Sequence, residues 1–235
     1  MKPLVKRLVI LTCIFLITFG CQSCIRRERT VMFDYSFGIG PKEGENPKNV
    51  MVYLPFPHHE GKPFTKILKA LKKRYNEYER ESIPGVTLDL VETKYGIMLK
   101  IHIPLLKVGF GIDVHSSLRE SISLPPPSTR YLLNPRVNVR KVTYHQADQG
   151  PIKGLMSDTY AFVSYQDGTG LSLGADYEVV DRTPPPFPFI WMHRSGGNYS
   201  ASVNQKPFQE TYQRQYINEK GWIKLPVYEI GYGSR

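Results

Sequence analysis

Cysteine is scarce in this chain: Cys13, Cys21 and Cys24 are the three in 235 residues. No disulfide framework can be drawn from them, so stability beyond the N-terminus must come from a packed core. Cys21-Gln-Ser-Cys24 has the spacing of a redox or metal half-site, but it lacks a second pair and a folded helix start. Apolar runs of spanning length are also missing. A transmembrane helix needs about 20 apolar residues, and the run over 8–19 has twelve. No nucleophile elbow, metal triad, phosphate loop or paired-carboxylate signature appears. Nothing in the motifs calls for a cofactor, and none is expected.

An acidic balance is absent too. The formal charge is +10, and without Lys2, Lys6 and Arg7 it falls to +7. Because the basic residues do not gather into one long run, nucleic acid is excluded as a partner. Anionic lipid or an envelope polymer fits better, as does plain solubility. At 41% hydrophobic and 22% charged residues, the composition is that of a globular protein.

What is present begins at the N-terminus. Lys2, Lys6 and Arg7 precede the apolar run, and Gly20-Cys21 closes it. A charged start, a short apolar stretch and a small residue before a cut make an export signal. Thr18-Phe19-Gly20-Cys21 resembles a bacterial lipoprotein signal, and the resemblance implies lipidation of Cys21 as the first mature residue. An uncleaved anchor is the alternative. Either reading places the chain outside the cytoplasm, membrane-anchored at the cell envelope. Arg26, Arg27 and Arg29 would then lie beside the lipid headgroups, where a basic patch strengthens a single acyl anchor.

The expected organisation is a signal or anchor over 1–20 and a lipidated start and tether over 21–48. A β-rich module with one helix follows over 49–124, and a second β-rich half over 125–235. Length allows one large β domain or two small ones. Within the tether, 31–39 alternates as one short strand, and 50–56 is apolar on both faces like a central strand. Phe64, Ile67, Leu68, Leu71, Tyr75 and Tyr78 recur at helical spacing and predict an amphipathic helix over about 65–81. Its lysines come first and its glutamates last, against the macrodipole preference. Lys69, Lys72 and Lys73 form its candidate anion-binding face.

Parity fixes a hairpin through Lys94-Tyr95, with Leu90 opposite Leu99, Leu88 opposite Ile101 and Asp89 opposite Lys100. Residues 108–114 continue the alternation as a third strand, expected beside the second. In that arrangement His102 pairs near Gly109, about 13 Å from Asp113, which rules out a joint metal site. Asp113 and His115 share one side of their strand and are the weak acid/base candidates, with Glu92 a further one. His58-His59-Glu60 is read as a loop, and His145 and His193 as surface residues. Asp167-Gly168-Thr169-Gly170 is a strong hairpin turn. Residues 216–230 look like a closing hairpin through Asn218-Glu219-Lys220-Gly221. The prolines of 184–188, followed by Phe189, Ile190 and Trp191, lead into a strand.

The predicted fold is mainly β (α+β): antiparallel, β-sandwich-like sheets carrying one amphipathic helix. The leading functional expectation is an envelope-anchored domain with a binding or structural role, toward a polymer, the membrane surface or an unidentified protein. The alternative is an envelope-associated hydrolase using Asp113 and His115.

Overall fold

A computed structural model describes residues 28–121, 123–125, 127–146, 150–183, 194–203 and 216–232. The signal-like run, Cys21, Cys24, Arg26, Arg27, residues 184–192 and His193 lie outside the described residues, as do the side chains of His145 and Asn198. The strands are β1 (Glu28–Pro41), β2 (Lys48–Leu54), β3 (Phe56–His59), β4 (Lys62–Pro63), β5 (Thr87–Thr93), β6 (Gly96–Leu105), β7 (Phe110–Ser121), β8 (Tyr131–Asn134), β9 (Val137–Gln146), β10 (Gly150–Gln166), β11 (Leu171–Thr183), β12 (Arg194–Val203) and β13 (Gly221–Tyr232). Helix α1 is Thr65–Arg74, continued by a π turn over Tyr75–Glu79, and α2 is the short Pro127–Arg130.

The large sheet runs β5-β6-β2-β10-β13-β12-β11-β1-β7, with β9 added beside β10. All its pairings are antiparallel. Helix α1 packs on both β7 and β5, the two ends of that path, so the sheet curls until its edges flank one helix. The chain is therefore mainly antiparallel β with one packed helix. Its two sequence halves interleave, because β2 pairs with β10 and β1 pairs with β11.

Alternation sets the inside. Val31, Phe33, Tyr35, Phe37 and Ile39 of β1 are buried, as are Val50, Val52 and Leu54 of β2 and Ala175, Tyr177 and Val179 of β11. The small sheet β4-β3-β8 plugs the end where β1 begins. There Phe33 packs against Tyr131 and Phe64 at ring distances of 4.5 and 4.8 Å, and Tyr35 donates to the Pro55 carbonyl at 3.0 Å. This is the plug end. The opposite, turn end carries the connections 42–47, 106–109 and 167–170.

Several expectations change. The segment read as a tether around one short strand is a 14-residue strand, held by β11 on one side and β7 on the other. Residues 110–121 pair with β1 and not with β6, whose second neighbour is β2, so His102 lies opposite Met51. Ile217 bridges Leu171, and β13 lies between β10 and β12, so no closing hairpin joins 216–217 to β13. His58 belongs to β3 and is buried, with Nδ1 2.8 Å from the Phe56 carbonyl, while His59 stacks on Tyr131 at 4.3 Å. The β5–β6 hairpin has the predicted register at Leu88–Ile101, Asp89–Lys100 and Leu90–Leu99. Gly96 takes a φ of 114° as the turn re-enters β6, a conformation that residues with a side chain rarely adopt.

The helix holds on by its buried face, Ile67, Leu71 and Tyr75. It has no side-chain N-cap, which agrees with stability from docking. Its α part ends at Arg74, so Lys72, Lys73 and Arg74 occupy the last α turn, where cations are favoured. The opposed charge order expected over 65–81 is left to the glutamates of the π turn. That turn also breaks the 3.6-residue phase. Tyr75 stays inside, its hydroxyl donating to the Ile83 carbonyl and accepting from the Val86 amide, both at 3.0 Å. Tyr78 is displaced to the surface under Arg74.

Candidate functional site

Asp113 and His115 point outward from β7, because Ile112 and Val114 take the inward positions. The register of β7 on β1 sets Asp34 opposite His115 and Ser36 opposite Asp113. Asp34 bonds His115 Nδ1, while Asp113 Oδ2 lies 3.5 Å from Nε2. The imidazole therefore lies between two carboxylates on different ring nitrogens, and the three groups do not converge on one point. Among the described residues no cluster of three His, Cys, Asp or Glu is placed to hold a metal ion. Asp176 and Glu178 of β11 line the same shallow depression, of about 320 Å³.

The hydrogen bond that His115 donates to Asp34 raises its pKa above 6.5, with help from the charges of Asp34 and Asp113 and against partial burial and Arg74. The imidazolium form is thus favoured. Yet the side chains of His115 and Asp113 are 71% and 60% exposed on an open sheet face. Glu92 is exposed on the other sheet edge, β5, opposite Ile97.

Lys69, Lys72 and Lys73 are exposed on the outer side of α1, as the helical period requires. Lys72 Nζ lies 2.7 Å from Asp89 of β5 and Lys73 Nζ 3.8 Å from Glu77. Lys69 has no ion-pair partner among the described residues.

The buried charges lie elsewhere, at positions that composition alone does not single out. Arg29, expected beside lipid headgroups, is buried at the plug end. It lies 3.4 Å from Asp181 and 3.7 Å from Glu120, and donates to the carbonyls of Leu124 and Pro125 at 3.1 and 2.5 Å. Glu120 also accepts from Arg130 and from the Tyr131 hydroxyl. Burial, and then that bond to Glu120, hold the Tyr131 phenol far above its usual pKa. A second knot ties the plug's other side, where Glu229 takes Arg136 at 2.7 Å and Ser157 at 2.8 Å. Parity was the available signal. Arg29, Glu120, Asp181 and Glu229 each fall in phase with the inward apolar residues of their strands.

An aromatic cluster on the outer surface was also missed. Tyr53, Phe162 and Trp222 are neighbours across β2, β10 and β13. Tyr95 of the β5–β6 turn stacks on Tyr160 at 3.7 Å and meets Trp222 edge-on at 4.8 Å. Its rings cover one another, which fixes the hairpin turn against β10.

No family description matches this chain, and no curated protein does. Two solved structures align over most of it. The Klebsiella pneumoniae type II secretion system outer membrane complex (PulD, PulS and PulC HR domain) does so at 8% identity over 91% of this chain and 40% of that one, with a TM-score of 0.13. Aeromonas hydrophila ExeD does so at 8% identity over 94% and 51%, with a TM-score of 0.12. This chain thus spans about half the length of each or less. At these TM-scores neither likeness carries an argument about fold or function.

Proposed function

We propose that this chain is an exported, membrane-anchored β domain with a binding or structural role at the cell envelope, its lipid carried on Cys21. The observation that carries the reading is the order of residues 2–21, basic, then apolar, then Gly20-Cys21, just ahead of a β domain that begins at Glu28. Replacing Cys21 with Ala in a bacterial host tests it. The variant should accumulate as full-length precursor without incorporated lipid label. Unchanged membrane association, with no lipid on the wild type, overturns the lipoprotein reading in favour of an uncleaved anchor.

Binding is favoured over hydrolysis by the setting of Asp113 and His115. An acid/base pair works best where water is excluded and donors are fixed around the reacting atoms, and these two stand on an open sheet face. The ligand class that suits the charge of +7 is an anionic envelope polymer or lipid, met by Lys69, Lys72 and Lys73. For Lys72 and Lys73 such a ligand replaces Asp89 and Glu77, which makes the interaction weak and salt-sensitive.

A further inference from the structure

We propose that Arg119 and Arg182, which flank Thr30 on the outer face of the sheet, hold phosphates of anionic lipids in the membrane that carries the anchor. The inference rests on lipidation of Cys21, and it names a contact separate from the helix lysines.

Register puts the two guanidiniums on one face. Thr30 of β1 lies opposite Arg119 of β7 on one side and opposite Arg182 of β11 on the other. Their chain neighbours Arg29, Glu120 and Asp181 have buried side chains, so the alternation turns Arg119, Thr30 and Arg182 outward. Both arginines are exposed. At strand spacing their backbones are about 10 Å apart, a gap that two arginine side chains can close over a phosphate. Neither has a side-chain partner among the described residues, whereas Arg29, Arg130 and Arg136 are each tied to a carboxylate. A guanidinium presents paired donors that match phosphate oxygens.

The surroundings leave this charge standing. The next outward row, Ser117, Met32 and Val180, is uncharged. Asp34 and Glu178 follow in the row beyond, about 13 Å from the arginines at strand rise. That exceeds the screening length of about 8 Å at physiological salt. Glu28, exposed two residues before Thr30, offsets part of the charge. Past the edge strand β7, Lys62 and Lys66 add to it, lining a depression of about 400 Å³ with Leu118, the neighbour of Arg119. Glu60 in the same depression lies 3.7 Å from Arg130.

The point of entry decides which anion is met. The nine residues from Cys21 to Thr30 span at most about 32 Å. Pro41, at the other end of β1, is about 36 Å further along the strand. A lipid on Cys21 thus keeps the arginine row near headgroups, and tethering raises their effective concentration there. Each basic residue at an anionic surface shifts the equilibrium about fivefold, so the pair favours contact about 25-fold.

The test uses the full lipidated chain, carrying Cys24→Ser, on vesicles of phosphatidylcholine alone or with one-third phosphatidylglycerol. An environment-sensitive dye is attached through Ser117→Cys beside the arginine row or Lys107→Cys at the turn end. Flotation reports the anchor, and quenching by acrylamide, a neutral solute, reports contact. The dye at 117 should lose quenching several-fold on anionic vesicles only, while the dye at 107 stays fully quenched. Arg119→Gln with Arg182→Gln should restore quenching at 117 and leave the melting temperature unchanged. Flotation with equal quenching at both sites, or protection at 117 that survives the arginine substitutions, overturns the lipid contact and leaves the anchor standing. Protection removed only by Lys69→Gln, Lys72→Gln and Lys73→Gln overturns it in favour of the helix face. Failure of the unsubstituted chain to float overturns the anchor and the lipid contact with it.

Discussion

At the turn end the curled sheet closes over Phe37, Ile39, Phe110 and Leu171, joined by short connections. At the plug end it closes over Arg29, Glu120, Arg130, Asp181 and Glu229, through a separate three-stranded sheet. Apolar packing is tolerant, since each contact is weak and neighbours relax. A buried ion cluster is not, because removing one member strands its partners in low dielectric. The same strands thus carry a forgiving end and an exacting one.

Truncation puts the greatest load on this comparison. Starting the chain at Lys48 removes β1, which joins β11 to β7 and supplies Arg29 to the exacting end. The product should lose its cooperative thermal transition by circular dichroism. A cooperative melt close to that of the full domain would return residues 28–41 to the role of a tether.

Next comes Glu120→Ala, expected to cost about 3–5 kcal/mol in denaturant unfolding. Arg130→Ala should cost about as much, and the double variant clearly less than their sum, since the two share one interaction. Simple additivity would mean that the charges act independently. At the forgiving end Phe110→Ala should cost about 3–5 kcal/mol from the cavity alone, with no such coupling to Glu120→Ala. Leu71→Ala should cost about 2–5 kcal/mol by loosening the helix.

Acid sensitivity sharpens the contrast further. Burial lowers the His58 pKa below 6.5, partly offset by the Phe56 carbonyl. The unfolded chain takes up that proton first, so stability from neutral His58 is complete above its unfolded pKa of 6.5 and falls as pH drops toward the lower folded value. His115 has the opposite sign: its contribution is present below 6.5 and disappears as pH rises through its raised folded value. His58→Asn should therefore flatten the acid side of the stability curve, and His115→Asn should steepen it slightly. The smallest effect is expected on the helix surface. Lys69→Gln, Lys72→Gln and Lys73→Gln together should leave the melting temperature unchanged while reducing sedimentation with an anionic polymer at low salt. Binding that ignores both salt and these changes would move the ligand elsewhere.

What could be read from the sequence follows the distance over which each feature is decided. Leu88, Leu90, Leu99 and Ile101 fix their own register because a two-residue turn leaves parity little choice. The helix likewise announces itself through Ile67, Leu71 and Tyr75. The partner of β7 is not specified locally, because Phe110, Ile112 and Val114 only say which way they face. Their partner, β1, lies far back in the chain, next to a charged stretch with the composition of a tether. The same distance hides Asp34 beside His115. Arg29, Glu120 and Glu229 read as ordinary surface charge unless their inward phase is noticed. Such a phase error is a mark of strands that carry something other than a plain apolar core.

Helix α1 has one more consequence. β5 and β7 end the long strand path, and their outer backbone groups would offer a template to any passing extended chain. α1 packs on both strands and covers that seam with Ile67, Leu71 and Tyr75 beneath it. By covering both ends of the path at once, α1 withdraws that template.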